Sequence, residues 1–325
     1  MDPIAPLDPI PLSAIEAARE RIRDAAVRTP CLRVEVPDAP CRLWLKLENL
    51  QPIGAFKIRG AANAMAMAGA EALERGVYTT STGNMAQGVA WNARRLGVRC
   101  DVVVPDTAPP VKRRAIEALG AHLHPVPFEE WWQALEQHGH PDFDGVYVHP
   151  ATDPHVIAGN GTAGLEILDD VPDVRAVIVP YGGGGLSTGV ASAIKASRAD
   201  VRVYACEVDT AAPFAASLEA GRPVRVDRTP SFVDGMGGQA LLPEVWGLAS
   251  TLLDGSLVMT LEEICEGIRI ALRHARVLAE GAGGAAVAAA LTGAAGDGDV
   301  VAVISGGNLD PTDLSAILRG EVPAG

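Results

Sequence analysis

The chain is expected to fold as an open, doubly wound α/β architecture, and two observations lead there. Short apolar runs rich in Val and Ile recur along it, each followed by an Ala-rich helical stretch, as when parallel strands are buried on both faces. Polar or glycine-rich turns then follow several of these runs, where such folds bind ligands, beyond the carboxyl ends of the strands.

Five segments read as strands: RLWLKLE (42–48), CDVVVP (100–105), AVIVP (176–180), RVYACE (202–207) and VVAVIS (300–305). Helices are expected over 58–75, 86–96, 110–119, 187–197, 261–273 and 283–291. With 325 residues, the chain can bury a large core as one α/β unit or as two domains sharing a cleft. No internal repeat or low-complexity segment interrupts it, and its many Ala and Gly residues suit close helix packing.

Composition removes several function classes. Apolar residues make up 48% of the chain, yet no apolar run approaches the ~20 residues of a membrane-spanning helix, so a soluble protein without membrane partners is expected. The opening MDPIAPLDPIPL is acidic and Pro-rich, unlike a secretory signal, which points to the cytoplasm. The five cysteines (Cys31, Cys41, Cys100, Cys206 and Cys265) are dispersed and form no CxxC pair, arguing against a disulfide framework or a zinc site. A net charge of −13 argues against a nucleic-acid surface, while leaving room for a local cationic pocket.

Four segments carry candidate chemistry. In ENLQPIGAFKIRGAANAM, Lys57 opens a helix, where the positive end of the dipole disfavours a cation and so favours the neutral amine that forms an imine; the alternative is a solvated surface lysine. In TTSTGNMAQG, the turn Ser81, Thr82, Gly83, Asn84 precedes a helix, giving either an anion pocket of backbone N–H groups or an ordinary N-cap. In VPYGGGGLSTG, Gly182, Gly183, Gly184 and Gly185 lie between a strand and a helix; they can bring N–H donors close to a phosphate, or serve as a linker. This run is neither a Walker loop nor the GxGxxG dinucleotide fingerprint. In VVAVISGGNLD, Ser305 ends a strand, as a partner for a heteroaromatic nitrogen or as a turn residue.

In this order and at these separations, the four segments resemble the fold-type II pyridoxal phosphate (PLP) enzymes, specifically the threonine/serine dehydratase and serine racemase group, from about Leu12 to about Leu318. The resemblance implies the tryptophan synthase β-like fold: two doubly wound open α/β domains with the cofactor in the cleft. Residues 1–77 plus 148–325 would form the large PLP-binding domain and residues 78–147 the small one, with a homodimer as the assembly. It implies that Lys57 carries the cofactor as an imine, that Phe56 packs near its ring, and that Asn84 bonds its phenolic oxygen. Gly182 to Gly185 would cradle the phosphate and Ser305 would face the pyridine nitrogen. Gly235 in VDGMGG would line the pocket, and Glu280 in AEGAGG matches a glutamate beside the cofactor. Ser81, Thr82, Gly83, Asn84 and Met85 match the loop that binds the substrate carboxylate. HPATDPHVIAGNGTAGLEIL matches the stretch leading back into the large domain.

The expected reaction is β-elimination from serine- or threonine-like hydroxy amino acids, giving a 2-oxo acid and ammonia, with Lys57 as the base for the α-proton. A neutral pyridine nitrogen opposite Ser305 should favour elimination over transamination. Thr82 occupies the position where racemases carry a serine hydroxyl and many dehydratases carry Ala, which keeps serine or hydroxyaspartate racemase/dehydratase as the alternative. For the divalent cation of some members, Glu207 and Ala211 match two ligand positions, but Pro213 stands at the third and only Asp209 is at hand to substitute, so no strong metal requirement is expected. Met85 and the stretch from Met236 to Gln239 are expected to line the side-chain pocket. The chain ends soon after SGGNLDPTDLSAIL, so no isoleucine-sensing regulatory domain is expected. Two rival classes complete the range: a nicotinamide oxidoreductase, which lacks its fingerprint here, and a PLP-binding protein without turnover.

Overall fold

The computed structural model describes residues 5–324, so Met1 to Ile4 of the acidic opening lie outside the described residues. Among the described residues, ten strands form two sheets. The larger orders β1 (Cys31–Val34), β2 (Arg42–Leu47), β10 (Asp299–Ile304), β7 (Val174–Pro180), β8 (Arg202–Val208) and β9 (Ser256–Met259), all parallel except for the antiparallel edge pair β1–β2. The smaller is wholly parallel and orders β5 (His122–Val126), β4 (Cys100–Pro105), β3 (Val77–Thr80) and β6 (Val146–Tyr147). Strands β4 and β10 are buried along their whole lengths, as continuous apolar runs covered by helices on both faces must be.

The helices, in chain order, are α1 (Leu12–Ile22), α2 (Lys57–Ala68), α3 (Ala70–Leu73), α4 (Asn84–Leu96), α5 (Pro110–Glu117), α6 (Phe128–Glu136) and α7 (Pro154–Asp170). They continue with α8 (Gly185–Ser197), α9 (Pro213–Ala220), α10 (Pro243–Leu252), α11 (Leu261–Ile270), α12 (Gly281–Leu291) and α13 (Pro311–Leu318). None among the described residues is long and apolar enough to cross a membrane.

All five expected strands are present. Three expected helices are shorter than read, 110–119 ending at Glu117. Gly69, at φ 81°, breaks 58–75 into α2 and α3, and 261–273 is α-helical only to Ile270 before a π-helical turn over Ala271–Ala275. The small-residue content does serve close packing: a Cβ on Gly189 of α8 would lie 2.5 Å from the Ile157 carbonyl of α7, and one on Gly267 of α11 would lie 2.1 Å from the Gly284 carbonyl of α12. Helices thus approach backbone to backbone, and a methyl group there would force them apart.

The four candidate segments follow the carboxyl ends of β2, β3, β7 and β10. Two of them are stitched together directly. Phe56 N–H donates to the Ser305 carbonyl (2.9 Å), Gly307 N–H donates to the Gly54 carbonyl (2.9 Å), and Ala55 and Gly306 form a β-bridge. A cleft between the two carboxyl edges therefore collects the residues singled out by the sequence.

Candidate active site

Lys57 is the first residue of α2, with no side-chain cap before it. Its Nζ donates to the Pro150 carbonyl (2.5 Å) and lies 5.1 Å from the centroid of the Phe56 ring. Burial lowers its pKa to about 8, although the Glu280 carboxylate pulls the other way. The amine is thus far closer to neutrality at physiological pH than an ordinary lysine.

Beneath Lys57 lies a buried charge network that sequence reasoning did not anticipate. Arg59 Nε and Nη2 donate to Glu48 (2.7 and 2.8 Å), and Nη1 and Nη2 donate to Glu166 (2.7 and 2.7 Å). Lys46 Nζ adds a bond to Glu166 (2.5 Å). Two fork-to-carboxylate contacts fix the guanidinium plane, and with it the first turn of α2.

Asn84 opens α4 across the cleft, and its amide is held at both ends: Nδ2 faces both Glu280 oxygens (3.1 Å each), while Oδ1 accepts from Asn308 Nδ2 (2.8 Å). Glu280 is 5% exposed, and burial raises its pKa to about 7 against the opposing Asn84 bond. Asn308 was not singled out by the sequence; it also donates to the Ile53 carbonyl (2.9 Å), tying the Asn84 loop to the Lys57 loop. Ser81 Oγ accepts from Gly83 N–H (3.3 Å), and Thr82 stands half-buried beside it.

The Met85 side chain is 2% exposed and packs into the apolar core of the smaller sheet with Val89, Val102 and Val104. Met236, 7% exposed, packs against Val208, Phe232 and Val233. Both thioethers belong to the apolar clusters on either side of the cleft.

The run Gly182 to Gly185 turns from β7 into α8. A Cβ on Gly182 would sit 2.1 Å from the Gly235 carbonyl, one on Gly183 2.5 Å from Ala151 Cβ, and one on Gly185 2.3 Å from the Ala151 carbonyl. Gly184 has φ +85° and Gly235 φ +83°, conformations that L side chains rarely adopt. Only glycine fits this loop, and the N-terminus of the 13-residue α8 opens directly from it. Under the loop, Tyr181 stacks on Phe214 (4.6 Å), with a buried hydroxyl that has no partner among the described residues. Ser305 is 2% exposed, and its Oγ is likewise unpartnered.

Glu207 is engaged elsewhere. Its carboxylate accepts from Phe214 N–H (2.8 Å), Ala215 N–H (2.8 Å) and Ser256 Oγ (2.6 Å), so it caps α9. Ala211 N–H bonds the Val208 carbonyl (3.1 Å), Pro213 is the first residue of α9, and Asp209 is exposed.

The pyridoxal-phosphate dependent enzyme family matches residues 22–306. This chain belongs to that family. It is 39% identical to the L-threonine ammonia-lyase of Thermotoga maritima, over 97% of this chain and 80% of the relative. Its fold is similar to maize serine racemase (TM-score 0.88, 30% identity, covering 96% of this chain and 98% of that one). It is also similar to the processed threonine deaminase isoform 2 of Solanum lycopersicum (TM-score 0.87, 31% identity, covering 95% of this chain and 86% of that one).

The family's cofactor is pyridoxal phosphate, and the residues present fit it. The loop only glycine can form, at a helix N-terminus, suits a phosphate. The depressed Lys57 amine suits an aldehyde, and the orphaned Ser305 hydroxyl suits a ring nitrogen. When bound, such a cofactor withdraws electrons from the α-carbon of an amino acid.

Proposed function

We propose that this protein is an ammonia-lyase that converts threonine- or serine-like β-hydroxy amino acids to 2-oxo acids and ammonia. The observation that carries the reading is the convergence of a Lys57 amine of lowered pKa, the Asn84–Glu280 pair and the tetraglycine loop on one cleft. Similarity to threonine ammonia-lyases over nearly the whole chain supports the reaction class.

Lys57 would hold the cofactor, and its amine would take the α-proton of the substrate. Gly182 to Gly185 would hold the phosphate, the unpartnered Ser305 hydroxyl would face the ring nitrogen, and Gly235 would shape the wall. Asn84 Nδ2, bonded to the Glu280 carboxylate, would face the phenolic oxygen of the cofactor. Phe56 packs against the ring. Backbone N–H groups from Ser81 to Met85 hold the substrate carboxylate at the opening of α4. Loss of the β-hydroxyl as water, followed by hydrolysis, releases the products.

The smaller sheet and its helices, residues 78–147, form the small domain, and its movement against the remaining chain brings the Ser81 to Met85 loop onto substrate. The protein acts in the cytoplasm as a homodimer. Racemisation is the second reading. Thr82 places a hydroxyl in the carboxylate loop, and the likeness to serine racemase favours keeping it in view; chiral analysis of recovered serine decides it.

The test is a coupled assay of 2-oxo acid release from serine, threonine and hydroxyaspartate. Release from at least one, abolished by Lys57→Ala, supports the proposal. A cofactor-loaded protein that releases none from any of them overturns it.

A further inference from the structure

We propose that His149 is a positioning residue: it holds the turn at residues 149–152 closed, and that turn sets both the Lys57 amine and the tetraglycine loop. The inference rests on the functional reading above and adds to it a residue outside the cleft chemistry.

The turn joins β6 to α7. Its start is anchored to β3, where Val148 N–H donates to the Tyr78 carbonyl (2.9 Å) and Thr79 Oγ1 donates to the Val148 carbonyl (2.7 Å). His149 Nδ1 then accepts from Ala151 N–H (3.1 Å) and Thr152 N–H (2.9 Å), and lies 3.0 Å from Thr152 Oγ1. A side-chain acceptor bonding N–H groups two and three residues ahead is the geometry by which Asn and Asp close turns. Here an imidazole performs it.

Two catalytic elements depend on that closure. The Pro150 carbonyl receives the Lys57 Nζ bond (2.5 Å). Ala151 packs under the glycine loop so closely that its Cβ and carbonyl exclude any side chain at Gly183 and Gly185. Successive residues of one turn therefore touch the amine and the phosphate cradle.

An accepting Nδ1 requires an unprotonated ring. His149 is 2% exposed, and its ring stacks on His138 with centroids 4.2 Å apart. Burial, reinforced by His138, pushes its pKa down to about 3 against the opposing Glu244 carboxylate. His138, His149 and Glu244 also bring potential ligand atoms within 4.8 Å of one another. The two rings are stacked with planes 29° apart, and Nδ1 of His149 is committed to the Ala151 and Thr152 N–H groups.

The test titrates the cofactor-free protein with pyridoxal phosphate, following the absorbance of the Lys57 adduct, for wild type and the variants His149→Asn, His149→Leu and His149→Gln. Circular dichroism melts of each variant report folding. Asn places an oxygen where Nδ1 stands, so its Kd should stay within about threefold of wild type, whereas Leu should weaken binding about tenfold or more by releasing two hydrogen bonds. Gln carries its oxygen one methylene too far and should weaken binding like Leu, which keeps the comparison decisive even if the Leu variant does not fold. Wild-type affinity in Leu or Gln, or equal weakening in Asn and Gln, overturns the proposal. A wild-type protein that forms no Lys57 adduct overturns the functional reading instead, so the two failures are distinguishable.

Discussion

Asn84 and Glu280 face each other across the cleft, with the amide nitrogen of one 3.1 Å from both carboxylate oxygens of the other. Burial raises the Glu280 pKa to about 7, and the Asn84 bond only partly offsets it. The folded cofactor-free protein therefore keeps a proton that the unfolded chain has released, so Glu280 costs stability as pH rises from its ordinary value toward 7, and no further above it. Urea unfolding of cofactor-free wild type and Glu280→Gln between pH 4.5 and 8 should show the variant gaining on wild type through that window, by up to about 3 kcal/mol. A pH-independent difference would show that the carboxyl titrates normally.

Lys57 is shifted the opposite way for a base, with a pKa of about 8 set by burial. Its neutral form is the nucleophile, so cofactor capture should accelerate as pH rises and level off above a midpoint near 8. Stopped-flow mixing of cofactor-free protein with pyridoxal phosphate measures this. A midpoint near that of an ordinary lysine would contradict it.

Arg59 has both Glu48 and Glu166 as partners in a dry environment. Arg59→Met leaves those two carboxylates with only Lys46 as a buried cation, and should cost about 3–5 kcal/mol in denaturant unfolding. Arg59→Lys should recover only part of this, because an ammonium cannot bond both carboxylates with a planar fork. Full recovery by Lys would mean that charge alone matters here.

The Glu207 carboxylate is spent on the N-terminus of α9 and on Ser256. Turnover should therefore survive exhaustive chelation, measured as 2-oxo acid release before and after added magnesium. Activity lost to chelator and restored by magnesium would mean that this cap opens to admit a cation.

Much of the site was legible in the sequence because its parts break the grammar of strands and helices. Four glycines after a buried strand, a lysine opening a helix and a serine closing β10 each stand out locally. What stayed hidden depends on long-range contact. Asn308 and the Arg59 network acquire meaning only through partners on other elements. The 17-residue α7 escaped because Gly159, Gly161 and Gly164 depress helix propensity, and those glycines are what allow its close approach to α2 and α8. Strand β3 is VYTT, short and half polar, and is set by pairing with β4 and β6 rather than by its own pattern.

The most direct test of the central claim is borohydride reduction of the cofactor-loaded protein, followed by peptide mass spectrometry. The expected result is a stable pyridoxyl adduct on Lys57 alone, absent from Lys57→Ala. Labelling of a different lysine, or none in a protein that still releases 2-oxo acid, would contradict it.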